Sequence, residues 1–191
     1  EKDQLLDNAP APATRNKIMI QLMWESGFRR STVAETKVQD VDQERQVIEA
    51  YAPKVDKSVT TAYSDAVAAK LNLYLNMDRG ANLYADTSDR LFLGREGPIS
   101  PERIGMIVRD AAENAGIQEV ISQDASGRDR YRVTAHKLRH GLAHHMLHKQ
   151  EMDIETVRDQ LGHSDISITQ VYVEQEESAR LDKMREKGPA S

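Results

Sequence analysis

Residues 134–174 read TAHKLRHGLAHHMLHKQEMDIETVRDQLGHSDISITQVYVE and contain all six histidines of the chain. His136, Arg139 and His140 have the i, i+3, i+4 spacing that brings side chains together on one face of an α-helix. Three apolar residues lie on a different arc and are expected to pack inward: Leu138, Leu142 and Met146. The stretch therefore predicts a helix that buries one side and presents imidazoles and a guanidinium on the other.

The second part of this stretch predicts a further helix and then a short segment. Asp153 is a typical N-cap for a helix over residues 154–161, and Gly162 suits the position just after its end. His163 would start a new segment, and Tyr172 follows it by nine residues. That spacing would let a short helix bring the phenol back towards the histidines.

The composition indicates one domain. A chain of 191 residues is long enough to bury a sizeable hydrophobic core without disulfides or metal ions to stabilise it. It has no cysteine, which excludes disulfides and thiolate chemistry. The sequence has no apolar run of membrane-spanning length and no signal peptide, so we expect a cytoplasmic protein with no membrane partner.

Charge is unevenly distributed along a chain whose net charge is −5. Residues 151–191 carry ten acids and five Lys/Arg, whereas residues 128–149 carry a single acid, Asp129. Six basic residues lie in the latter segment: Arg128, Arg130, Arg132, Lys137, Arg139 and Lys149. A basic face on an acidic body can bind phosphates. The alternating Arg128, Arg130 and Arg132 are either a solvated edge or phosphate contacts, and we favour phosphate contacts.

Elsewhere the sequence predicts a mainly helical fold with a small antiparallel sheet, an α+β class. Ser100 and Pro101 are suited to start a helix, and Gly116 to end it. We interpret that helix as core without a chemical role. The expected elements are helices at residues 14–26, 31–36, 64–75 and 101–115, strands at 46–51 and 58–63, and a loop at 77–90. Ser31 and either Ser64 or Asp65 are the expected caps of the second and third helices.

The ordered motifs resemble the catalytic signature of the tyrosine recombinases, the phage integrase family. The resemblance covers about residues 5–175 and begins with Gly27-Phe28-Arg29-Arg30-Ser31. It continues through the hairpin that carries Lys54 and Lys57, then His136-x-x-Arg139-His140, Leu161-Gly162-His163 and Tyr172. The resemblance implies a tyrosine recombinase catalytic-domain fold. The catalytic residues that it implies are Arg29, Lys54, His136, Arg139, His163 and Tyr172.

The family assigns each of these residues a role in cutting a phosphodiester. The two arginines would neutralise developing charge with fixed donors, and His163 would donate to a non-bridging oxygen. Tyr172 would attack phosphorus, His136 would accept its proton, and Lys54 would protonate the leaving 5′-oxygen. The resulting 3′-phosphotyrosyl link would be reversed to rejoin strands without metal, cofactor or ATP.

The resemblance also implies contacts with double-stranded DNA outside the reacting phosphate. The residues expected to make them are Arg30, Lys57, Arg128, Arg130, Arg132 and His140. Lys54 aligns with the family's catalytic lysine by its spacing to the next helix, and Lys57 is the alternative. Thr32 stands where the family has an acid, and Glu35 is a candidate substitute for holding Arg29.

We expect residues 1–175 to form the catalytic domain and residues 176–191 to form a tail that docks on this protomer or a neighbour. We expect no counterpart of the family's N-terminal core-binding domain among these 191 residues. The expected partners are DNA and further copies of this chain, assembled as a tetramer on DNA.

Three other interpretations remain open at this stage. The chain could be a catalytically silent DNA-binding module of the same fold, or a type IB topoisomerase-like nicking-closing enzyme. A metal site on His136, His140, His144 and His148 is disfavoured, because there is no HExxH motif, no cysteine and no nearby acid in that helix.

Overall fold

Helix α2, Ala13–Ser26, is the central element of the structure, a computed structural model that describes residues 1–54 and 56–161. Its apolar side chains are buried on several sides: Ile18, Met19, Ile20, Leu22 and Met23. A helix that is apolar around most of its surface needs neighbours on most sides. The predicted stop is confirmed, since Gly27 follows with a positive φ of 66°.

The remaining helices have these bounds: α1 Lys2–Asp7, α3 Arg30–Glu35, α4 Asp65–Leu73, α5 Pro101–Asn114, α6 Ala135–Lys149 and α7 Ile154–Gln160. Helices α1, α3, α4, α5 and α6 all contact α2. Ser64, Ser100 and Thr134 cap α4, α5 and α6 by accepting a backbone N–H. Asp153 does the same at α7, where its Oδ1 accepts from Thr156 N at 2.9 Å. The caps predicted for α4, α5 and α7 are therefore confirmed.

A three-stranded antiparallel sheet packs beside α3 in the order β1 (Val41–Asp42), β2 (Val47–Ala52), β3 (Lys57–Ala62). In the β2–β3 hairpin Val47 pairs with Ala62, and Ala52 with Lys57. The predicted hairpin is thus confirmed to within one residue. Strand β1 was not predicted because two residues are too short to show an alternating pattern.

Two further two-stranded antiparallel pairs complete the described strands. The strands β4 (Leu93–Gly94) and β5 (Gly97–Pro98) form one pair, and β6 (Val120–Gln123) and β7 (Asp129–Tyr131) form the other. All residues of β6 are exposed. A strand with no buried face needs no alternation of apolar and polar residues, so the sequence had no pattern from which β6 could be predicted. The fold class, mainly helical with small antiparallel sheets, is confirmed.

Two predicted boundaries were wrong. Helix α3 begins at Arg30 after an extended Arg29, so Ser31 lies inside the helix and does not cap it. Residues 77–79 are not loop, because a wider helical turn, Tyr74–Arg79, continues α4. Tyr74 anchors this turn: its hydroxyl donates to Leu91 O at 3.2 Å and accepts from Leu93 N at 3.1 Å.

Helix α6 connects two groups of buried side chains. Leu138 belongs to the main core around α2, whereas Leu142 and Met146 form a smaller cluster with Val157 and Leu161. The prediction that these three α6 residues face inward is confirmed. Within the described ranges, none of the helices combines the length and apolar character needed to cross a membrane.

Candidate active site

A pocket of about 510 Å³ lies where α3, α5, α6 and the tip of the β2–β3 hairpin meet. Four of the predicted catalytic residues line it: Arg29, Lys54, His136 and Arg139. They come from three separate parts of the chain, so the fold is what brings them together. The other two predicted catalytic residues, His163 and Tyr172, lie outside the described residues.

Arg29 is positioned by the turn that leaves α2. Gly27 has φ 66°, and a Cβ at this position would collide with the side chain of Leu161 and lie 3.2 Å from Leu142 Cδ2. Phe28 is buried, and Arg29 then takes the extended conformation that precedes α3. The left-handed glycine and the buried phenylalanine together fix the direction in which the half-buried Arg29 enters the pocket.

Arg139 is only 4% exposed, although it lines the pocket. Its Nη1 donates a hydrogen bond to Gly27 O, and its Nη2 donates to Leu161 O at 2.5 Å. Gly27 lies two residues before Arg29, and Leu161 two residues before His163. One buried guanidinium therefore joins three of the segments that carry predicted catalytic residues.

The expectation that α6 presents this guanidinium on its outer side was wrong. The end of α2 and the residue after α7 cover Arg139, and their carbonyls satisfy a charge that could not otherwise be buried. The imidazoles of His136 and His140, in contrast, do lie at the surface or partly exposed.

His136 and His140 contact each other through their ring nitrogens. Their Nε2 atoms are 2.7 Å apart, and the ring centroids are 4.3 Å apart in an edge-on arrangement. At this distance one nitrogen donates and the other accepts a hydrogen bond. His140, which we predicted to contact DNA, is thus bonded to the proposed proton acceptor.

The surroundings of His136 disfavour its charged form. Partial removal from water lowers its pKa below the ordinary value, and the positive charges of Arg139, Lys137, Arg29 and Lys54 lower it further. A lowered pKa favours the neutral imidazole, which is the form that can accept a proton.

Lys54 lies at the exposed tip between β2 and β3 and lines the pocket. Across this tip the hydroxyl of Tyr51 donates to Asp56 Oδ1 at 2.7 Å, which raises the pKa of Tyr51. Lys57, the alternative candidate, is the first residue of β3, paired with Ala52 and away from the pocket lining. The geometry therefore favours Lys54.

The wall of the pocket that α5 forms was missed in the sequence. Glu102, Gly105, Met106 and Arg109 line it from α5, and their i, i+3, i+4, i+7 spacing forms one helical stripe. The prediction that α5 belongs to the core is right for its buried face. It is wrong for the face that lines the pocket. The stripe was visible in the sequence, but its place in the same pocket as His136 and Arg139 was not.

Further contacts hold this wall in place. Arg30 lies 3.8 Å from Glu102 in an ion pair, and the guanidinium carbon of Arg109 lies 5.1 Å from the ring centroid of Tyr131. The second arrangement has the geometry of a cation–π contact. Tyr131 also lines the pocket from β7.

The predicted phosphate contacts on the β6–β7 hairpin occupy different surroundings. Arg128 and Arg130 are exposed. Arg132 instead donates to Ile117 O at 3.0 Å and pairs with Glu119 at 3.4 Å and with Glu1. It stays a predicted DNA contact, but these bonds give it a role in joining the first residues of the chain to the hairpin.

Glu35, the candidate partner for Arg29, directs its carboxylate to Arg90 in an ion pair. Thr32 is buried, and its carbonyl accepts a hydrogen bond from the Thr36 hydroxyl at 2.9 Å. Neither of these contacts involves Arg29. In the part of the chain that the structure describes, no group of three or more His, Cys, Asp or Glu side chains is arranged to hold a metal ion.

The family model described as "Phage integrase family" matches residues 1–179. The chain belongs to the phage integrase family. Among curated members, the tyrosine recombinase XerA of Thermococcus kodakarensis is 27% identical over 172 residues, which cover 90% of this chain and 55% of XerA. The tyrosine recombinase XerD of Staphylococcus aureus is 29% identical over 159 residues, covering 83% of this chain and 49% of XerD. The chain thus spans about half the length of these relatives.

Solved structures agree with this assignment. The crystal structure of XerA recombinase matches with a TM-score of 0.73 and 25% identity, over 100% of this chain and 64% of that one. The XerH recombinase in a post-cleavage complex with its palindromic difH substrate matches with a TM-score of 0.71 and 20% identity, over 96% of this chain and 50% of that one. The fold of this phage integrase family member is therefore that of the tyrosine recombinase catalytic domains, as the sequence predicted.

Proposed function

We propose that this chain cuts and rejoins DNA strands as the catalytic part of a site-specific tyrosine recombinase, through a 3′-phosphotyrosyl intermediate. The observation that carries the proposal is the pocket in which Arg29, Lys54, His136 and Arg139 meet. These are the groups that a metal-independent attack on a phosphodiester requires: fixed cations for the phosphate, an acid and a base.

The reaction is a transfer of the phosphoryl group from one oxygen to another. The O–H bond of Tyr172 breaks, its proton goes to His136, and the oxygen forms a bond to phosphorus. The bond from phosphorus to the 5′-oxygen breaks, and Lys54 gives that oxygen a proton. Attack by a 5′-hydroxyl of another strand reverses these steps. The number of phosphate ester bonds is conserved, so the cycle consumes neither ATP nor metal.

Charge in the pocket suits a phosphodiester. The basic side chains that line it are Arg29, Arg30, Lys54, Arg109 and Arg139, against one acid, Glu102. Arg29 and Arg139 would donate hydrogen bonds to the non-bridging oxygens, with His163 adding a further one. The −5 net charge of the whole chain does not oppose this, because the basic groups converge on one place.

The proposed partners are double-stranded DNA and further copies of the chain, and the cytoplasm is the proposed location. XerH was crystallised on its difH substrate, and λ integrase, with a TM-score of 0.61 and 15% identity, as a dimer on a core site. We propose a tetramer in which two such dimers, each on one DNA site, come together. Binding to DNA would release cations from its phosphates, and this release is most favourable at low salt. The affinity should therefore fall as the salt concentration rises.

The proposal is tested by covalent trapping on nicked duplexes in which the cleaved end diffuses away. Random-sequence duplexes at low salt are used, since the target site is not yet known. We expect a protein–DNA adduct with the wild type and none with Tyr172→Phe. The matched control is Tyr84→Phe, on a surface loop away from the pocket, which should form the adduct normally.

Other outcomes would contradict the proposal. An adduct that survives Tyr172→Phe and disappears in Tyr131→Phe would place the nucleophile on β7. DNA binding without an adduct on any duplex of the library would favour the catalytically silent module. Relaxation of supercoiled DNA by a monomer on one site would favour the topoisomerase-like enzyme.

A further inference from the structure

Helix α6 carries two similar pairs of histidines, and within each pair the two residues lie one helical turn apart. His136 and His140 have ring centroids 4.3 Å apart, and so do His144 and His148. His136 of the first pair lines the pocket, and its Nε2 lies 2.7 Å from Nε2 of His140. The second pair lies beyond the pocket lining, on the exposed surface of the same helix. The chain therefore contains a matched reference for the pair at the pocket.

Two ring nitrogens at 2.7 Å share a single proton, because two N–H groups facing each other would repel. This leaves two arrangements. In the first, His136 carries the proton on Nε2 and donates it to His140, so Nδ1 of His136 holds a lone pair. In the second, His140 donates, and the neutral His136 carries its proton on Nδ1. Only the first arrangement leaves His136 a nitrogen that can accept a proton.

We propose that His140 is a positioning residue for His136: it accepts a hydrogen bond from Nε2–H of His136 at its own Nε2 and so leaves Nδ1 of His136 to take the tyrosine proton. This inference rests on the proposed function, which makes His136 the proton acceptor. When Nδ1 gains that proton, the bond to His140 becomes a charge-assisted one and stabilises the imidazolium.

The charges around the pocket explain why His136 needs such a partner. Those described are Arg29 and Arg30 at α3, Lys54 on the hairpin, Glu102 and Arg109 on α5, and Lys137 and Arg139 on α6, with the Tyr131 hydroxyl on β7. Most are cations and oppose a further positive charge. Burial and these cations hold the pKa of His136 below its usual value. An acceptor bonded to Nε2 offsets part of that opposition without adding a negative charge that would repel the phosphate.

The first test uses ¹⁵N-histidine NMR of the whole chain, because the ¹⁵N shift separates protonated from unprotonated ring nitrogens. The histidine signals are assigned by removing one histidine at a time. With both rings neutral, we expect protons on Nε2 of His136 and on Nδ1 of His140. The reverse assignment would overturn the inference, as would a His136 titration that is the same in the wild type and in His140→Leu.

The expected shift has a definite sign. His140→Leu removes the acceptor that stabilises the imidazolium, so the pKa of His136 falls. His144→Leu removes one ring of the second pair and should leave the His136 titration unchanged. A fall of similar size in both variants would mean that any histidine on α6 has this effect, and would contradict a specific role for His140.

The second test follows the rate of adduct formation against pH. His140→Leu should lower the plateau rate about tenfold, a part of the roughly 10²- to 10⁴-fold that a general base supplies. Its acid limb should move to lower pH, because a base of lower pKa stays unprotonated further into acid. His140→Gln, whose amide oxygen can accept, should recover most of the rate, and His144→Leu should match the wild type.

The two tests fail separately. If the wild type forms no adduct, the proposed function fails, while the NMR spectra still decide which histidine donates. If adducts form and His140→Leu leaves both the rate and the acid limb unchanged, the recombinase proposal stands and the role of His140 is refuted.

Discussion

Arg139 and Lys54 are assigned to the same reacting phosphate, yet the fold holds them in opposite ways. Arg139 is 4% exposed and donates to two backbone carbonyls from different parts of the chain. Lys54 is exposed at a hairpin tip braced by a surface hydrogen bond between Tyr51 and Asp56. The cation of Arg139 is buried inside the fold, whereas that of Lys54 lies at the surface.

This difference separates the site into a fixed part and a peripheral part. Removing the buried cation should damage the fold together with the chemistry, because carbonyls from two segments lose their donor. Removing the exposed cation should damage the chemistry alone. Stability and activity measured side by side therefore test the comparison.

The largest effect is expected from Arg139→Ala. Two buried carbonyls, Gly27 O and Leu161 O, lose charge-assisted hydrogen bonds, so the free energy of unfolding should fall by about 3 kcal/mol. Urea denaturation followed by circular dichroism measures it. Arg29→Ala, at a half-buried position in the same pocket, is the control and should cost less than about 1 kcal/mol. Equal losses in the two variants would contradict a fixed role for Arg139.

A smaller loss of stability is expected from Gly27→Ala. The positive φ costs about 1 kcal/mol or more for alanine, and the collision with Leu161 adds a similar amount. Gly116→Ala is a matched control, with φ 68° and nothing within 4 Å of the added Cβ. The difference in unfolding free energy between the two variants isolates the collision. If the two losses are equal, the turn before Arg29 is not packed as described.

The features that these two variants test could be predicted from the sequence only in part. The inward face of α6 was predictable because Leu138, Leu142 and Met146 repeat at helical spacing. The burial of Arg139 was not, since it depends on carbonyls at Gly27 and Leu161 that are distant in the chain. No local pattern reports such a contact.

The same limit applies to the pocket as a whole. The motifs around Arg29 and His136 were visible in the sequence, and Arg29, His136 and Arg139 do line the pocket. The wall on α5 was interpreted as core, because the sequence reveals a helical stripe but not which parts of the chain lie beside it. Strand β6 went unpredicted because all of its side chains are exposed.

Lys54→Ala should leave stability within about 0.5 kcal/mol of the wild type, since the residue is exposed. The cleavage rate should fall by about 10²-fold, as expected for loss of a general acid. A substrate with sulfur in place of the bridging 5′-oxygen should restore the rate, because a thiolate leaves without a proton. Lys57→Ala is the control on the same hairpin. Rescue by sulfur in Lys57→Ala, and not in Lys54→Ala, would reverse the assignment.

The smallest effect is expected from Tyr51→Phe, which removes the hydrogen bond to Asp56 across the tip. Loss of one exposed hydrogen bond should cost no more than about 0.5 kcal/mol of stability. If the bond holds the tip in place for Lys54, single-turnover cleavage should slow several-fold. An unchanged rate would mean that the tip is positioned by other contacts.

The central claim is that Tyr172 becomes joined to the 3′-phosphate of a cut DNA strand in the pocket of Arg29, Lys54, His136 and Arg139. The most direct measurement is mass spectrometry of the trapped adduct after protease and nuclease digestion. We expect one modified peptide, with a 3′-phosphonucleotide on Tyr172. A nucleotide on any other side chain, or one attached through a 5′-phosphate, would contradict it.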